Sequence, residues 1–121
     1  MPRVIHFEIA LKDPEGTGKF YSDVFGWKVN KWPGPVDYWL VTTGDKEPGI
    51  DGGILKAGDA VAPIVNTIGV ENIDAMMEKV KASGGSIVTP KNAIPTVGWF
   101  CYAKDPEGVP FGMMQSDENA K

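Results

Sequence analysis

Residues 4–26 read VIHFEIALKDPEGTGKFYSDVFG, and residues 63–85 read PIVNTIGVENIDAMMEKVKASGG. Both segments begin with an apolar strand pattern, pass through a polar capping residue into a helical pattern, and end at glycine. The correspondence, at an offset of 59 positions, extends over Val4–Ala57 and Pro63–Ser116, and three further strand-like runs follow each helix. The chain therefore reads as two copies of one β-α-β-β-β module.

The duplication bears on the number of domains. A module of about 55 residues buries too small a share of its surface to be stable alone, whereas two together build one ordinary core. We therefore predict a single domain, residues 1–121, made of two repeats at about 1–57 and 63–117. Each repeat has one helix followed by three consecutive strands, so the predicted class is α+β.

The first strand pattern separates its side chains into two faces. Because successive strand residues point to opposite sides, one face carries only apolar side chains and the other carries two polar ones. The apolar face consists of Ile5, Phe7, Ile9 and Leu11; the other consists of Val4, His6, Glu8 and Ala10. The first face is expected to pack in the core and the second to meet polar surroundings.

Helix boundaries are marked in both copies. Asp13 can cap the first helix, with Pro14 preset for its first turn, and Gly26 supplies its end. Asn72 is the matching cap of the second helix, which Gly84-Gly85 ends.

Composition excludes several classes of function. The chain is 42% hydrophobic and 23% charged, with a net charge of -4 and no cluster of Lys and Arg beside aromatic residues, so nucleic-acid binding is not expected. Neither a leader pattern nor an apolar run near the ~20 residues of a membrane span is found, so we expect a cytoplasmic protein without a membrane partner. Cys101 is the only cysteine, which rules out an intrachain disulfide and predicts a small buried side chain. Residues 117–121 are predicted to form a solvated tail.

Three motifs add a family resemblance. They are Phe20-Tyr21-x-x-Val24-Phe25-Gly26-Trp27 after the first strand, Gly52-Gly53-Ile54 at the end of the first module, and Asp105-Pro106-Glu107-Gly108 near the end of the second. With the tandem modules, they resemble the vicinal oxygen chelate superfamily of glyoxalases, bleomycin-resistance proteins and extradiol dioxygenases. The resemblance implies a cupped, incompletely closed eight-stranded barrel with helices on its convex side and a small-molecule ligand in the cup. It also implies a homodimer.

The same resemblance identifies where a metal would be held. Metal-dependent members place one ligand on the first strand and one on the last strand of each module, and the matching positions here are His6, Gly53, Val65 and Gly112. One imidazole cannot hold a divalent ion that must also polarise a substrate. We therefore predict no metal and no other cofactor. A divalent ion on His6 and Glu8, completed by Asp51 or Gln115, is the less favoured alternative.

His6 and Glu8 are the candidate catalytic residues. They lie two positions apart on one strand face, so both would point into the cup that the resemblance implies. The plain interpretation of His6 is a hydrogen-bonded polar residue in a wet cavity. In the functional interpretation, Glu8 favours the imidazolium and keeps its titration near neutral pH, and His6 orients a ligand or acts as a general base.

Aromatic residues are the candidate ligand-binding residues. If Asp105–Gly108 closes a hairpin with a three-residue loop, Tyr102 lies opposite Gly112 and Phe100 opposite Met114, and these share the cup face. A two-residue loop would reverse every side chain. The predicted ligand-binding set is Phe100, Tyr102, Met114 and Trp39, although the sequence leaves open which of Tyr38 and Trp39 points inward. Such a cup suits an uncharged or cationic aromatic compound.

These observations favour a small-molecule-binding protein of the bleomycin-resistance type, without the usual metal site. Two alternatives stay open, because fold alone does not transfer chemistry. One is a metal-dependent enzyme, a lyase similar to lactoylglutathione lyase or a dioxygenase. The other is a metal-free acid/base enzyme using His6 and Glu8.

Overall fold

The computed structural model describes residues 2–121, which form two compact units. The first unit is His6–Val65, and the second unit combines the N-terminal residues through Ile5 with Asn66–Lys121. Within the described residues the secondary structure comprises two α-helices and nine strands, so the predicted α+β class is confirmed.

The first unit contains one helix and a four-stranded sheet. Its strands occur in the order β2-β3-β4-β1, in which β1 and β4 are parallel and the other neighbours are antiparallel. The elements are β1 Arg3–Leu11, α1 Pro14–Phe25, β2 Lys28–Lys31, β3 Trp39–Thr42 and β4 Gly52–Lys56, followed by a 3-10 turn at Ala57–Asp59.

Helix α1 has the predicted ends. Asp13 Oδ1 accepts a hydrogen bond from the Gly16 amide at 3.0 Å, which satisfies one of the free N–H groups of the first turn. Gly26 ends the helix with φ 74°, a left-handed conformation that glycine adopts without strain.

The core of the first unit lies between α1 and the sheet. Gly18 allows the helix to approach closely, since a Cβ at this position would come within 3.3 Å of Val29 and 3.8 Å of Ile54. Ile54 is fully buried and clusters with Trp39 and Val41, and Phe7, Ile9, Leu11, Trp27 and Val29 pack against them. The alternate residues of β1, His6 and Glu8, consequently lie on the other side of the sheet.

The second unit repeats this arrangement with one addition. Its strands occur in the order β5-β9-β8-β6, with β5 and β9 parallel, and a short strand, β7, also pairs with β8. The elements are β5 Ile64–Gly69, α2 Ile73–Ala82, β6 Ser86–Ile87, β7 Asn92–Ile94, β8 Gly98–Lys104 and β9 Pro110–Ser116. Asn72 caps α2 as predicted, its Oδ1 accepting from the Ala75 amide at 3.0 Å.

The β8–β9 hairpin decides the facing of the second sheet. Asp105 N donates to Val109 O at 3.0 Å, and Gly108 has φ 88°, which gives the loop of three residues. Tyr102 consequently pairs with Gly112, as this loop requires. The alternate residues Cys101 and Met113 join Val70 and Ile73 in the core.

The C-terminal segment differs from its prediction. Ala120 is 2% exposed, and its carbonyl accepts a hydrogen bond from Thr96 N at 3.1 Å. Asp117 accepts a further hydrogen bond from Trp99 Nε1 at 3.0 Å. The expectation of a fully solvated tail was therefore wrong, because the segment's backbone and Asp117 find partners in the loop before β8 and on β8.

No helix within residues 2–121 is long and apolar enough to cross a membrane.

Candidate functional site

The candidate site lies on the sheet face of the first unit that is turned away from α1. His6 and Glu8 come to this face because they alternate along β1 with Phe7 and Ile9, which pack in the core. Glu8 is 8% exposed, so its carboxylate is a buried polar group that requires hydrogen-bond partners.

Tyr38 joins the two side chains. It immediately precedes β3, and its carbonyl accepts from Trp32 N at 2.8 Å, which fixes the backbone at this point. The Tyr38 hydroxyl lies 2.8 Å from His6 Nε2 and donates to Glu8 Oε2 at 2.9 Å. The three side chains therefore form one hydrogen-bonded chain from imidazole to phenol to carboxylate.

The direction of these hydrogen bonds assigns the histidine tautomer. A tyrosine hydroxyl has one proton, and here that proton is donated to Glu8. The hydroxyl oxygen must then accept from His6, so Nε2 carries the hydrogen and, in the neutral ring, Nδ1 carries the lone pair. Within residues 2–121 no hydrogen bond is formed to Nδ1.

Burial favours the neutral form of the His6 ring. Burial lowers the pKa of His6 below its usual 6.5 because the charged form loses hydration, while the charges of Glu8 and Asp51 oppose that shift. The imidazole is consequently mostly neutral at pH 7, with Nδ1 available as a hydrogen-bond acceptor or a base.

Gly53 explains how Tyr38 reaches this position. Gly53 pairs with Glu8 across the parallel β1–β4 ladder, so a side chain at residue 53 would stand beside the Glu8 carboxylate. A Cβ at Gly53 would overlap the hydroxyl and ring of Tyr38. The tyrosine therefore fills the place that the family resemblance assigns to a metal-ligating carboxylate.

The residues present do not fit the family's metal. Within the described part of the chain, no three His, Cys, Asp or Glu side chains come close enough to hold an ion. The suggested supplementary ligands have other partners: Asp51 Oδ1 accepts from Thr43 N at 2.9 Å, and Gln115 Oε1 accepts from Ile73 N at 2.9 Å. Gln115 thereby satisfies an amide of the first turn of α2.

The corresponding face of the second unit is aromatic. Phe100, Tyr102, Gly112 and Met114 share it, as the hairpin register predicts. The rings of Phe100 and Tyr102 meet edge to face with centroids 4.8 Å apart. The structure thus brings together three of the four predicted ligand-binding residues.

Trp39, the fourth predicted ligand-binding residue, is not on such a face. It is 7% exposed and packs with Val41 and Ile54 on the helix side of its sheet, because it pairs with Ile54 across β3 and β4. In the candidate site its place is taken by Tyr38, the alternative that the sequence left open.

The sequence left the direction of Tyr38 open and did not identify Thr67. Tyr38 lies just outside β3, where alternation no longer predicts its direction, and only Gly53, its neighbour in space, could have signalled a bulky side chain. Thr67 pairs with Gly112 in the second unit and is 2% exposed. It occupies the position of Glu8 at the repeat offset, which is the signal that could have identified it.

Comparisons with known proteins agree with this architecture. Residues 3–113 match the family described as Glyoxalase/Bleomycin resistance protein/Dioxygenase superfamily. Proteins named "Putative glyoxylase CFP32" in Mycobacterium bovis and Mycobacterium tuberculosis are 29% identical over 117 residues, which are 93% of this chain and 45% of those proteins. The chain therefore spans about half the length of the curated relatives it matches.

Solved structures share the fold at low sequence identity. A methylmalonyl-CoA epimerase variant from Streptomyces coelicolor, in complex with 2-nitronate-propionyl-CoA, has a TM-score of 0.72 at 16% identity and covers 100% of this chain and 99% of its own. A hypothetical protein from Bacillus halodurans C-125 has a TM-score of 0.71 at 17% identity, covering 98% of this chain and 97% of its own.

Proposed function

Since the chain belongs to the Glyoxalase/Bleomycin resistance protein/Dioxygenase superfamily, we propose that it binds a small organic molecule through His6, Tyr38 and Glu8, without a metal ion. The ligand lies on the face of the first unit that carries these residues. His6 Nδ1 accepts a hydrogen bond from an N–H or O–H group of the ligand.

The observation that carries this proposal is the order of hydrogen bonds in the chain of three residues. Because Tyr38 donates to Glu8 and receives from His6, the acceptor nitrogen of the imidazole is the one left for a ligand. A buried carboxylate lies behind the phenol, so an anionic ligand would be repelled while an uncharged or cationic one would not. The preferred ligand is a planar amide, amidine or phenol that offers a hydrogen-bond donor.

The proposal can be tested directly because His6 is the only histidine in the chain. Its imidazole resonances are recorded by NMR at pH 7.5 during titration with benzamidine, benzamide and benzoate, which present a cationic, a neutral and an anionic head group on the same ring. Benzamidine and benzamide are expected to shift these resonances saturably, and benzoate is not.

A matched pair of variants localises the response. Tyr38→Phe removes the hydroxyl that fixes the His6 tautomer, whereas Tyr21→Phe removes a tyrosine hydroxyl on α1, where the ring stacks on Trp27. The first substitution is expected to weaken binding and the second to leave it unchanged. Equally strong binding in the two variants would contradict the proposal. So would His6 resonances that do not shift with any of the three compounds.

A second candidate function, acid/base catalysis, is supported by the lowered pKa of His6 together with its tautomer. In this reaction Nδ1 removes a proton from a carbon next to a carbonyl, and the C–H electron pair enters the enolate. The new imidazolium keeps its Nε2–H bond to Tyr38, whose contact with Glu8 stabilises the positive charge. The thioester complex of the epimerase of similar fold suggests acyl-CoA compounds as test substrates.

Exchange of an α-proton measures this second function. Propionyl-CoA is incubated with the protein in D₂O, and loss of the α-proton signal is followed by NMR at several pH values. The exchange rate is expected to rise with a midpoint below 6.5 and to fall in Glu8→Gln and Tyr38→Phe. A rate equal to that of buffer would leave binding as the function of this site and reject catalysis on acyl-CoA thioesters.

A further inference from the structure

The second unit contains a buried hydroxyl that its surroundings do not satisfy. Thr67 lies on β5, is 2% exposed, and its Oγ1 has no hydrogen-bond partner among residues 2–121. Native structures rarely leave a buried polar atom unpaired, because the group has lost its hydration without compensation. Such an atom therefore calls for a partner that the folded chain itself does not supply.

The surroundings of this hydroxyl are aromatic and lack a side chain at one position. Thr67 pairs with Gly112, and a Cβ at Gly112 would lie 3.1 Å from Thr67 Oγ1 and 2.8 Å from Cζ of Phe100. The Phe100 ring thus covers Gly112, and the threonine hydroxyl lies beside the same glycine. Tyr102 meets the Phe100 ring edge to face, and its backbone amide is held by Thr89 Oγ1 at 2.8 Å.

We propose that the Thr67 hydroxyl anchors a second binding site, in the second unit, for an uncharged planar molecule with one hydrogen-bonding oxygen or nitrogen. The ligand enters when the Phe100 ring turns away from Gly112, and its flat face then contacts the rings of Phe100 and Tyr102. A hydroxyl can donate to a carbonyl or accept from an amide. Thr67, Phe100, Tyr102, Gly112 and Met114 are all uncharged, so this site offers nothing to pair with an ionised ligand.

This inference goes beyond the proposed function because it involves other residues in the other unit. The five residues of the second site include no carboxylate, ammonium, guanidinium or imidazole group. The two sites therefore differ in ligand charge: the first tolerates a cation, whereas the second accepts only a neutral group.

The first test concerns stability and requires no ligand. Thr67→Val replaces an unpaired hydroxyl by a methyl group of similar size, whereas the matched control, Thr89→Val, removes a hydroxyl that has a partner. Thermal unfolding is expected to show an unchanged or raised Tm for Thr67→Val and a lowered Tm for Thr89→Val. A similar decrease in both variants would show that the Thr67 hydroxyl already has a partner and would overturn the proposal.

The second test concerns binding. Benzamide is titrated into protein with a ¹³C-labelled methyl group on the side chain at position 67, in the wild-type protein and in Thr67→Val, and toluene, which has the ring without the polar group, serves as the control ligand. Thr67→Val is expected to weaken benzamide binding about three- to tenfold, the effect of losing one neutral hydrogen bond, and to leave toluene binding unchanged. A methyl signal that ignores benzamide, or equal benzamide affinity in Thr67→Val, would overturn the proposal.

A third variant separates this inference from the proposed function. His6→Asn alters the first unit and is expected to leave the Thr67 response to benzamide unchanged. In the wild-type protein, a Thr67 response to benzamide without a His6 response would reject only the first site. The reverse pattern would reject only the second.

Discussion

Each unit has a glycine on its last strand, Gly53 or Gly112, and the space beside this glycine is filled differently in the two units. In the first unit the place beside Gly53 is filled by the Tyr38 hydroxyl, which bonds to His6 and Glu8. In the second unit the place beside Gly112 is covered by the Phe100 ring, and the neighbouring hydroxyl of Thr67 stays unpaired. The first unit therefore has a chain of hydrogen-bonded polar side chains at this place, whereas the second has an aromatic ring.

Backbone pairing and site chemistry are therefore separable in this chain. Both units place a polar residue of the first strand directly opposite a glycine of the last strand, as the pairs Glu8–Gly53 and Thr67–Gly112 show. That geometry follows from the parallel ladder and is the same in both. The chemistry depends instead on one aromatic residue in each unit. This residue is Tyr38, just before β3, in the first unit and Phe100, on β8, in the second.

Substituting the two glycines is expected to produce the largest contrast. A Cβ at Gly53 would overlap Tyr38 and force its hydroxyl away from Glu8, so Gly53→Ala should reduce the free energy of unfolding by about 3 kcal/mol. At Gly112 the nearest atoms lie at 2.8 to 3.1 Å, so smaller shifts suffice and Gly112→Ala should cost about 1 kcal/mol. Urea unfolding of both variants measures the difference.

The double variant Gly53→Ala with Tyr38→Ala provides the control. If the clash with Tyr38 causes the loss, removing the ring should make the cost of Gly53→Ala much smaller than in the wild-type background. An unchanged cost would show that the glycine is required for a reason other than its contact with Tyr38.

The reactivity of Cys101 tests how tightly the core of the second unit is packed. Cys101 is fully buried, and burial raises the pKa of its thiol to about 11. Because the thiolate is the reactive form, alkylation by iodoacetamide at pH 7.5 should be at least roughly a hundredfold slower than for an exposed cysteine.

Gly112→Ala should accelerate this labelling, because Cys101 pairs with Met113, the neighbour of Gly112. Mass spectrometry of the alkylated protein over time gives the rate. Rapid labelling of the native wild-type protein would contradict the burial of Cys101 in the core of the second unit.

Removing the Tyr38 hydroxyl is expected to have a smaller effect than Gly53→Ala. Tyr38→Phe takes one partner from the buried Glu8 carboxylate and one from His6, so the free energy of unfolding should decrease by about 1–2 kcal/mol.

The tautomer of His6 provides the specific measurement. The ¹⁵N chemical shifts of its ring should indicate a strong preference for hydrogen on Nε2 in the wild-type protein and a mixture of tautomers in Tyr38→Phe. A preference that survives in the variant would mean that another group fixes the ring.

The sequence predicted the parts of this molecule that follow from short-range rules. Asp13 and Asn72 cap their helices, and Gly26 ends the first one, because these choices depend only on neighbouring residues. The placement of Cys101 in the core and of Tyr102 opposite Gly112 followed from alternation once the loop length was assumed.

The composition of the candidate site could not be predicted to the same extent. His6 and Glu8 were identified as a pair, but their connection depends on Tyr38, which reaches them across 30 or more positions of sequence from a residue outside the strand. The unpaired state of Thr67 is likewise a property of the packed structure. Only three-dimensional contacts decide whether a hydroxyl has a partner.

The smallest expected effect is the pH dependence that His6 gives to stability. Its pKa in the folded protein lies below the usual value of about 6.5, so the unfolded chain binds more protons between the two values. The stability that the neutral ring contributes is therefore complete above about pH 6.5 and is lost as the pH falls through the folded-state pKa. Glu8 and Asp51 limit this loss because their charges favour the imidazolium.

Comparison of the wild-type protein with His6→Asn isolates this contribution. The difference in Tm between the two should be larger at pH 7.5 than at pH 5, and the NMR titration of His6 should have a midpoint below 6.5. A midpoint above 6.5 would reverse the argument for the first site. The ring would then be protonated at neutral pH, Nδ1 would donate rather than accept, and the first unit would select hydrogen-bond acceptors instead of donors.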